Sequence, residues 1–254
     1  MKTPEQLKSM KNKEKIAVLT AYGYPFAKIL DEAKFDIILV GDSLGMVVLG
    51  HETTKQVTMQ DMLRHVEAVS NGAKNTLIIA DMPINSCNAK EDAIKNARLL
   101  LKAGAHGVKP EGKPDIVKAL TKENIHVMGH IGLLPQTDKY GVKGKEQEEA
   151  EELLKQAKEI EKAGAFCIVI ESVPMELAKK ITSSISIPTI GIGAGRYCDG
   201  QVLVINDMLG FYDKFKPKFA KKYIDLWLII KKAVSQYKEE VKEGKFPTEE
   251  YSYK

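Results

Sequence analysis

Cysteine is scarce in this chain. Only Cys87, Cys167 and Cys198 occur, an odd number with no C-x-x-C pair, which argues against both a disulfide framework and a zinc knuckle. There is no His-x-His pair either, so no structural zinc site is expected. No apolar run approaches the ~20 residues that span a bilayer. The opening segment, MKTPEQLKSMKNKEK, lacks an apolar core of the secretory kind, so no signal peptide is expected. Charge of one sign is concentrated nowhere: 38 basic and 34 acidic residues leave a net charge of +4. The dense runs at 143–162 and 237–245 mix signs at helical spacing and read as solvated helix faces. A nucleic-acid partner and a membrane are therefore not expected, and a reducing cytoplasm fits best. No Pro/Gly/Ser-rich linker divides the chain.

What is present is alternation. The chain has 254 residues, close to the ~250 of one (β/α)8 barrel, and 1–254 is read as a single domain. Thr3, Pro4 and Gln6 mark a helix start, giving a leading helix at about 4–11. Short apolar runs predict strands at about 16–20, 36–41, 77–81, 106–110, 126–130, 165–171, 188–192 and 202–206. Amphipathic runs predict helices at about 25–33, 58–73, 89–103, 114–122, 146–163 and 174–182, a short turn near 197–200 and a long last helix at 218–240. Alternating strands and helices argue for parallel βαβ units. KAGAHGV and KAGAFCI (102–108 and 162–168) read as one helix-to-strand joint used twice. A (β/α)8 barrel follows, with an open doubly wound sheet as the alternative.

Five of these runs finish in an ionisable residue: Asp42, Asp81, Lys109 with Glu111, His130 and Glu171. A buried strand gains nothing from a charged end, whereas in a barrel the carboxyl ends of the strands build the pocket. Asp42 alone reads equally as a helix cap or as a ligand to a hard cation. Asp81 repeats the pattern, and two carboxylates plus waters suit Mg²⁺. Lys109 and Glu111 stand two apart on one side of a strand, as an ion pair or as substrate and metal-supporting groups; Pro110 between them signals the strand's end. His130 reads as a core histidine or as a site-lining one. Glu171 reads as a base with a raised pKa or as a carboxylate at the start of the next helix. IGIGAG (190–195) reads as an anion-binding turn or a tight corner.

Taken together these segments resemble the ketopantoate hydroxymethyltransferase family. The resemblance is carried by LTAYGYPFAKILDEA, ILVGDSLGMVVLGHETT, VTMQDMLRHVEAV, LIIADMP, VKPEG, VMGHIGLLPQ, ESVPMELAKKIT and IPTIGIGAG with CDGQVLVINDMLG, over about 15–220. It implies a barrel of the phosphoenolpyruvate/pyruvate superfamily type, assembled as a homodecamer, with one Mg²⁺ per subunit. Its reaction is hydroxymethyl transfer from 5,10-methylenetetrahydrofolate to 3-methyl-2-oxobutanoate through a Mg²⁺-stabilised enolate, giving 2-dehydropantoate in pantothenate biosynthesis. Asp42 and Asp81 stand as metal-binding aspartates, with Glu111 as the further carboxylate at the metal. Asp42, Asp81, Ser43 and Lys109 stand as 2-oxo acid contacts, and Glu171 as the proton acceptor. The chain departs from the family in VKPEGK for VK-aliphatic-EGG, in AYGYP for AYDYP and in a short YGVKGK loop after Gln136. The competing readings are a Mg²⁺-dependent C–C lyase or phosphomutase on the same barrel and a non-catalytic binding module. Against the lyase, no Cys stands at a strand end.

Overall fold

The apolar runs fold as eight parallel strands: β1 (Ile16–Thr20), β2 (Ile37–Val40), β3 (Leu77–Asp81), β4 (Gly107–Lys109), β5 (Met128–Gly132), β6 (Cys167–Glu171), β7 (Thr189–Ile192) and β8 (Gly200–Leu203). This computed structural model describes residues 1–137, 140–214 and 217–254. Successive strands pair from β1 to β4 and from β5 to β8, and β1 also pairs with β8. A bridge between Val108 and Val127 completes the circle, with Val108 N–H donating to His126 O at 3.0 Å. The ring is closed, as the (β/α)8 reading expects.

The helices are α1 (Pro4–Ser9), α2 (Tyr24–Glu32), α3 (Leu44–Val47), α4 (Met59–Gly72), α5 (Lys90–Lys102), α6 (Pro114–Lys122), α7 (Gln147–Lys162), α8 (Met175–Ser184), α9 (Ile205–Met208) and α10 (Leu226–Lys242). Sequence chemistry sets their ends. Thr3 and Gln6 form a reciprocal capping box ahead of α1, and Thr58 with Asp61 does the same for α4. Gly104 and Gly164, in the two KAGA joints, both take positive φ just after α5 and α7.

Period-two alternation turns Ile16 and Val18, Ile37 and Leu39, Leu77 and Ile79, and Cys167 and Val169 into one buried cluster. Leu7 and Met10, from α1 and its end, join that cluster beside the strand starts, so the leading helix closes the amino-terminal mouth. Two residues further on, the same parity reaches Asp81 and Glu171.

Three expectations need correction. His130 is the middle residue of β5, which runs on to Gly132. The run QVLVIND divides: β8 stops at Leu203, and Ile205–Met208 is helical. An apolar stretch of this length fits either state by periodicity. The last helix begins at Leu226, where Asp225 accepts from Leu228 N–H at 3.2 Å, and not at 218.

Residue contacts divide the chain into two compact units, 1–204 and 205–254. The first holds every strand. In the second, Phe211 packs on Trp227 with ring centroids 6.4 Å apart. Trp227, Leu228, Ile229, Val234 and Tyr237 of α10 are exposed.

Candidate active site

The barrel brings together every ionisable residue that the sequence singled out. Register places Asp81 beside Lys109 and Gly132 beside Glu171. Asp42 and Glu111 each lie two residues past a strand, in the turns that follow β2 and β4. β4 stops at Lys109, immediately before Pro110, because proline cannot donate to a sheet.

Their contacts form a ring. Asp42 N–H donates to Asp81 Oδ2 at 3.0 Å. Asp81 Oδ1 lies 2.7 Å from Lys109 Nζ, both side chains being buried. Lys109 Nζ lies 3.4 Å from His130 Nδ1, which is 3.8 Å from Glu111 Oε1. Glu111 Oε2 accepts from Gln136 N–H at 3.2 Å, and Gln136 Nε2 donates to Asp42 Oδ2 at 2.8 Å. His130 Nε2 reaches 3.3 Å from Glu171 Oε2, which joins the β6 carboxylate to the ring. Ser43 Oγ lies 2.7 Å from Tyr22 Oη at the edge, and His65 Nδ1 is 2.5 Å from Tyr22 O.

Four carboxyl groups share this space with one lysine, and the charges show it. Burial raises the Asp42 carboxyl to about 7, reinforced by Asp81 and opposed by Lys109. Burial likewise raises Glu111 to about 8, with Lys109 opposing and Asp42 and Asp81 adding. Glu171 rises to about 7, again chiefly by burial. Burial alone would lower the Lys109 ammonium, but the Asp81, Glu111 and Asp42 carboxylates outweigh it and push it up. The cavity is short of positive charge.

Two partners escaped the sequence reading. Gln136 sits in LLPQ and Tyr22 in AYGYP, segments whose sequence pattern assigns neither residue a role. Gln136 is only 6% exposed, and its partners Asp42 and Met82 are 94 and 54 residues away. The only local signal was Pro135 just past a strand end. The loop after Gln136 contains Asp138 and Lys139, which lie outside the described residues.

Comparison with known proteins now bears on the site. The family profile for ketopantoate hydroxymethyltransferase matches residues 1–249. The chain belongs to the ketopantoate hydroxymethyltransferase family. A relative from Sulfurisphaera tokodaii, named 3-methyl-2-oxobutanoate hydroxymethyltransferase, is 56% identical, covering 96% of this chain and 94% of its own. Relatives of the same name from Caldicellulosiruptor bescii and Thermotoga maritima are 53% and 52% identical, over 94% and 98% of this chain and 94% and 95% of theirs. Among solved structures, a phosphonopyruvate hydrolase superposes with TM-score 0.64 at 15% identity, covering 83% of this chain and 84% of that one. A phosphoenolpyruvate phosphomutase from Streptomyces platensis gives 0.63 at 15% identity, covering 96% and 88%. At that identity these two support the barrel fold alone.

The ring is a family member's strand-end cluster, and its donor set can be tested against a hard cation. Among the described residues, no group of three His, Cys, Asp or Glu side chains is arranged to hold a metal. The two aspartates are adjacent, and Glu111 reaches Asp42 through Gln136. Two buried carboxylates with surplus negative charge around them suit Mg²⁺, which takes one or two carboxylates and keeps its waters. Gly41 leaves the room: a Cβ there would lie 2.8 Å from Ser43 Oγ and 3.5 Å from Asp81 Oδ2.

Proposed function

We propose that this chain transfers a hydroxymethyl group from 5,10-methylenetetrahydrofolate to 3-methyl-2-oxobutanoate, yielding 2-dehydropantoate for pantothenate synthesis. Membership of the family supports the reaction. The observation that carries the site assignment is the ring joining Asp42, Asp81, Lys109, Glu111 and His130, with Glu171 beside it.

Asp42 and Asp81 hold Mg²⁺ in this reading, with Glu111 behind them. The cation supplies Lewis-acid polarisation of the 2-oxo acid. Lys109 and Ser43 bind the substrate's oxygens, and Lys109 balances the negative charge that develops. Glu171, with a pKa near 7, is ionised often enough near neutral pH to accept the C3 proton and basic enough to keep it. Loss of that proton leaves an enolate whose C3 attacks the one-carbon unit of the folate: the new C–C bond replaces the C–H bond, the carbon–nitrogen bonds to the folate break to release tetrahydrofolate, and water supplies the hydroxyl oxygen of the transferred group. His130, 3.3 Å from Glu171, orients the base. The 2-oxo acid and the folate are the small-molecule partners. We also infer a cytoplasmic homo-oligomer, decameric by the resemblance. The exposed apolar side chains of α10 support assembly, and no helix among the described residues is long and apolar enough to cross a membrane.

The test is product formation from 3-methyl-2-oxobutanoate with and without the folate and with and without Mg²⁺. 2-Dehydropantoate that depends on both is expected. Cleavage or phosphoryl rearrangement of a 2-oxo acid in the absence of folate would instead favour a lyase or mutase.

A further inference from the structure

Gln136 is the one non-ionisable member of the ring and the one that comes from a loop rather than from a strand, a strand end or the turn just past it. Its Nε2 uses both hydrogens, to Asp42 Oδ2 at 2.8 Å and to Met82 O at 2.9 Å. Its backbone N–H donates to Glu111 Oε2 at 3.2 Å. These partners follow β2, β3 and β4, and Gln136 itself leaves β5. One buried residue therefore ties four consecutive strand ends together. A carboxylate that must meet a cation gains from being held in a single orientation beforehand, because partners behind metal ligands fix the ligand's direction. The Met82 carbonyl fixes the amide, and the amide fixes the aspartate.

We propose that Gln136 is a positioning residue for the divalent cation: it presets the Asp42 carboxylate through its amide while its backbone anchors Glu111. The inference rests on the Asp42–Asp81 reading of the metal site given above. It goes beyond that reading in assigning a role to a residue that touches neither substrate nor metal in the proposal.

The experiment titrates Mn²⁺, a spectroscopic stand-in for Mg²⁺, into the full chain, following the free ion by electron paramagnetic resonance without substrate. Parent, Gln136→Ala and Gln136→Met are compared. Circular dichroism melts and Mg²⁺-dependent turnover are run alongside. Methionine fills the amide's volume and cannot donate. Both variants should bind the ion about 10–100-fold more weakly, melt within a few degrees of the parent, and regain most of the parental kcat at saturating Mg²⁺. Unchanged ion affinity in both would overturn the proposal. So would parental affinity in Gln136→Met alone, which would assign the effect to packing. Failure of either variant to fold would place Gln136 among the residues that hold the barrel together and would equally overturn it. A parent that binds Mn²⁺ yet makes no 2-dehydropantoate sinks the proposed reaction and leaves the role of Gln136 standing.

Discussion

The two ends of the barrel treat a buried carboxylate in opposite ways. At the amino-terminal end, Asp199 accepts from Lys11 Nζ at 2.9 Å, Thr189 N–H at 2.9 Å, Thr189 Oγ1 at 3.1 Å and Asn12 N–H at 3.2 Å. Burial alone would raise its pKa, but the Thr189 and Lys11 hydrogen bonds outweigh burial and hold it below the usual carboxylate range. At the carboxyl end, Asp42 accepts from Gln136 Nε2 at 2.8 Å, faces Asp81, and is pushed up to about 7. One end spends its donors on closing the fold. The other leaves carboxyl groups short of donors, a state that an incoming cation or proton can relieve. The two carboxylates are comparably buried, so it is the supply of donors and of positive charge that separates a structural carboxylate from a functional one.

The largest expected break in that comparison is Asp81→Ala. It removes half of the candidate cation pair and the 2.7 Å partner of Lys109. Turnover in the folate-dependent assay should fall by at least about 10³-fold, since metal polarisation of the substrate accounts for several kcal/mol of barrier, and Mn²⁺ binding should be lost. Retained activity would remove the carboxyl end from the chemistry altogether.

Glu171→Gln keeps the shape of the site and removes the base. A loss of about 10²–10⁴-fold in kcat is expected, together with loss of C3 proton exchange into D₂O when no folate is present. Normal exchange would assign the base to another group, with His130, 3.3 Å away, first in line.

Asp199→Ala probes the other end. Lys11, with a side chain only 9% exposed, would lose its partner, and breaking such a pair costs about 3–5 kcal/mol. The urea midpoint should drop while kcat at a permissive temperature stays at the parental value. The linkage also has a sign. Because the folded pKa is depressed, the contribution of Asp199 is fully present above the unfolded value of about 4 and is lost as pH falls through the folded one. Stability measured below about pH 4 should therefore decline less steeply in Asp199→Asn than in the parent. A matching decline in both would show that the network is not what resists acid.

The contrast between the ends also explains what the sequence could reveal. Asp42, Asp81, Lys109, Glu111 and Glu171 stood out because each breaks an apolar run, and parallel strands deliver such breaks to one rim. His130 was placed one step too far out because Gly129 and Gly132 blurred the bounds of β5. The Asp199 network went unread: Lys11 lies 188 residues from Asp199, and Thr189 and Asp199 stand at strand starts, where polar residues are ordinary. Gln136 went unread for a related reason, since its meaning comes from partners past three other strand ends and no periodicity carries that. β8 was misplaced at its edge because apolar content alone does not distinguish strand from helix.

The smallest effect tests whether the carboxyl end tolerates one more acid. Gly23, which stands where the resemblance expects Asp, is the N-cap of α2 with φ −166° and ψ 168° and no side-chain cap. An added Cβ there meets nothing within 4 Å. An aspartate at an N-cap accepts from the N–H groups of the second and third helical residues, but the second here is Pro25 and has none. Only Phe26 N–H remains, so Gly23→Asp should gain about 0.5 kcal/mol from the cap and the helix dipole. For a chain of this size that raises the melting temperature by about 1–2 °C. The neighbouring Tyr22 hydroxyl touches Ser43, so the new charge stands close to a site already crowded with carboxyl groups. If the cap takes up the charge, kcat/KM should stay within about two-fold of the parent. A stabilised variant with a clear fall in kcat/KM would mean that the glycine spares the site a fifth carboxylate, and that the shortage of donors at this end is held near its limit.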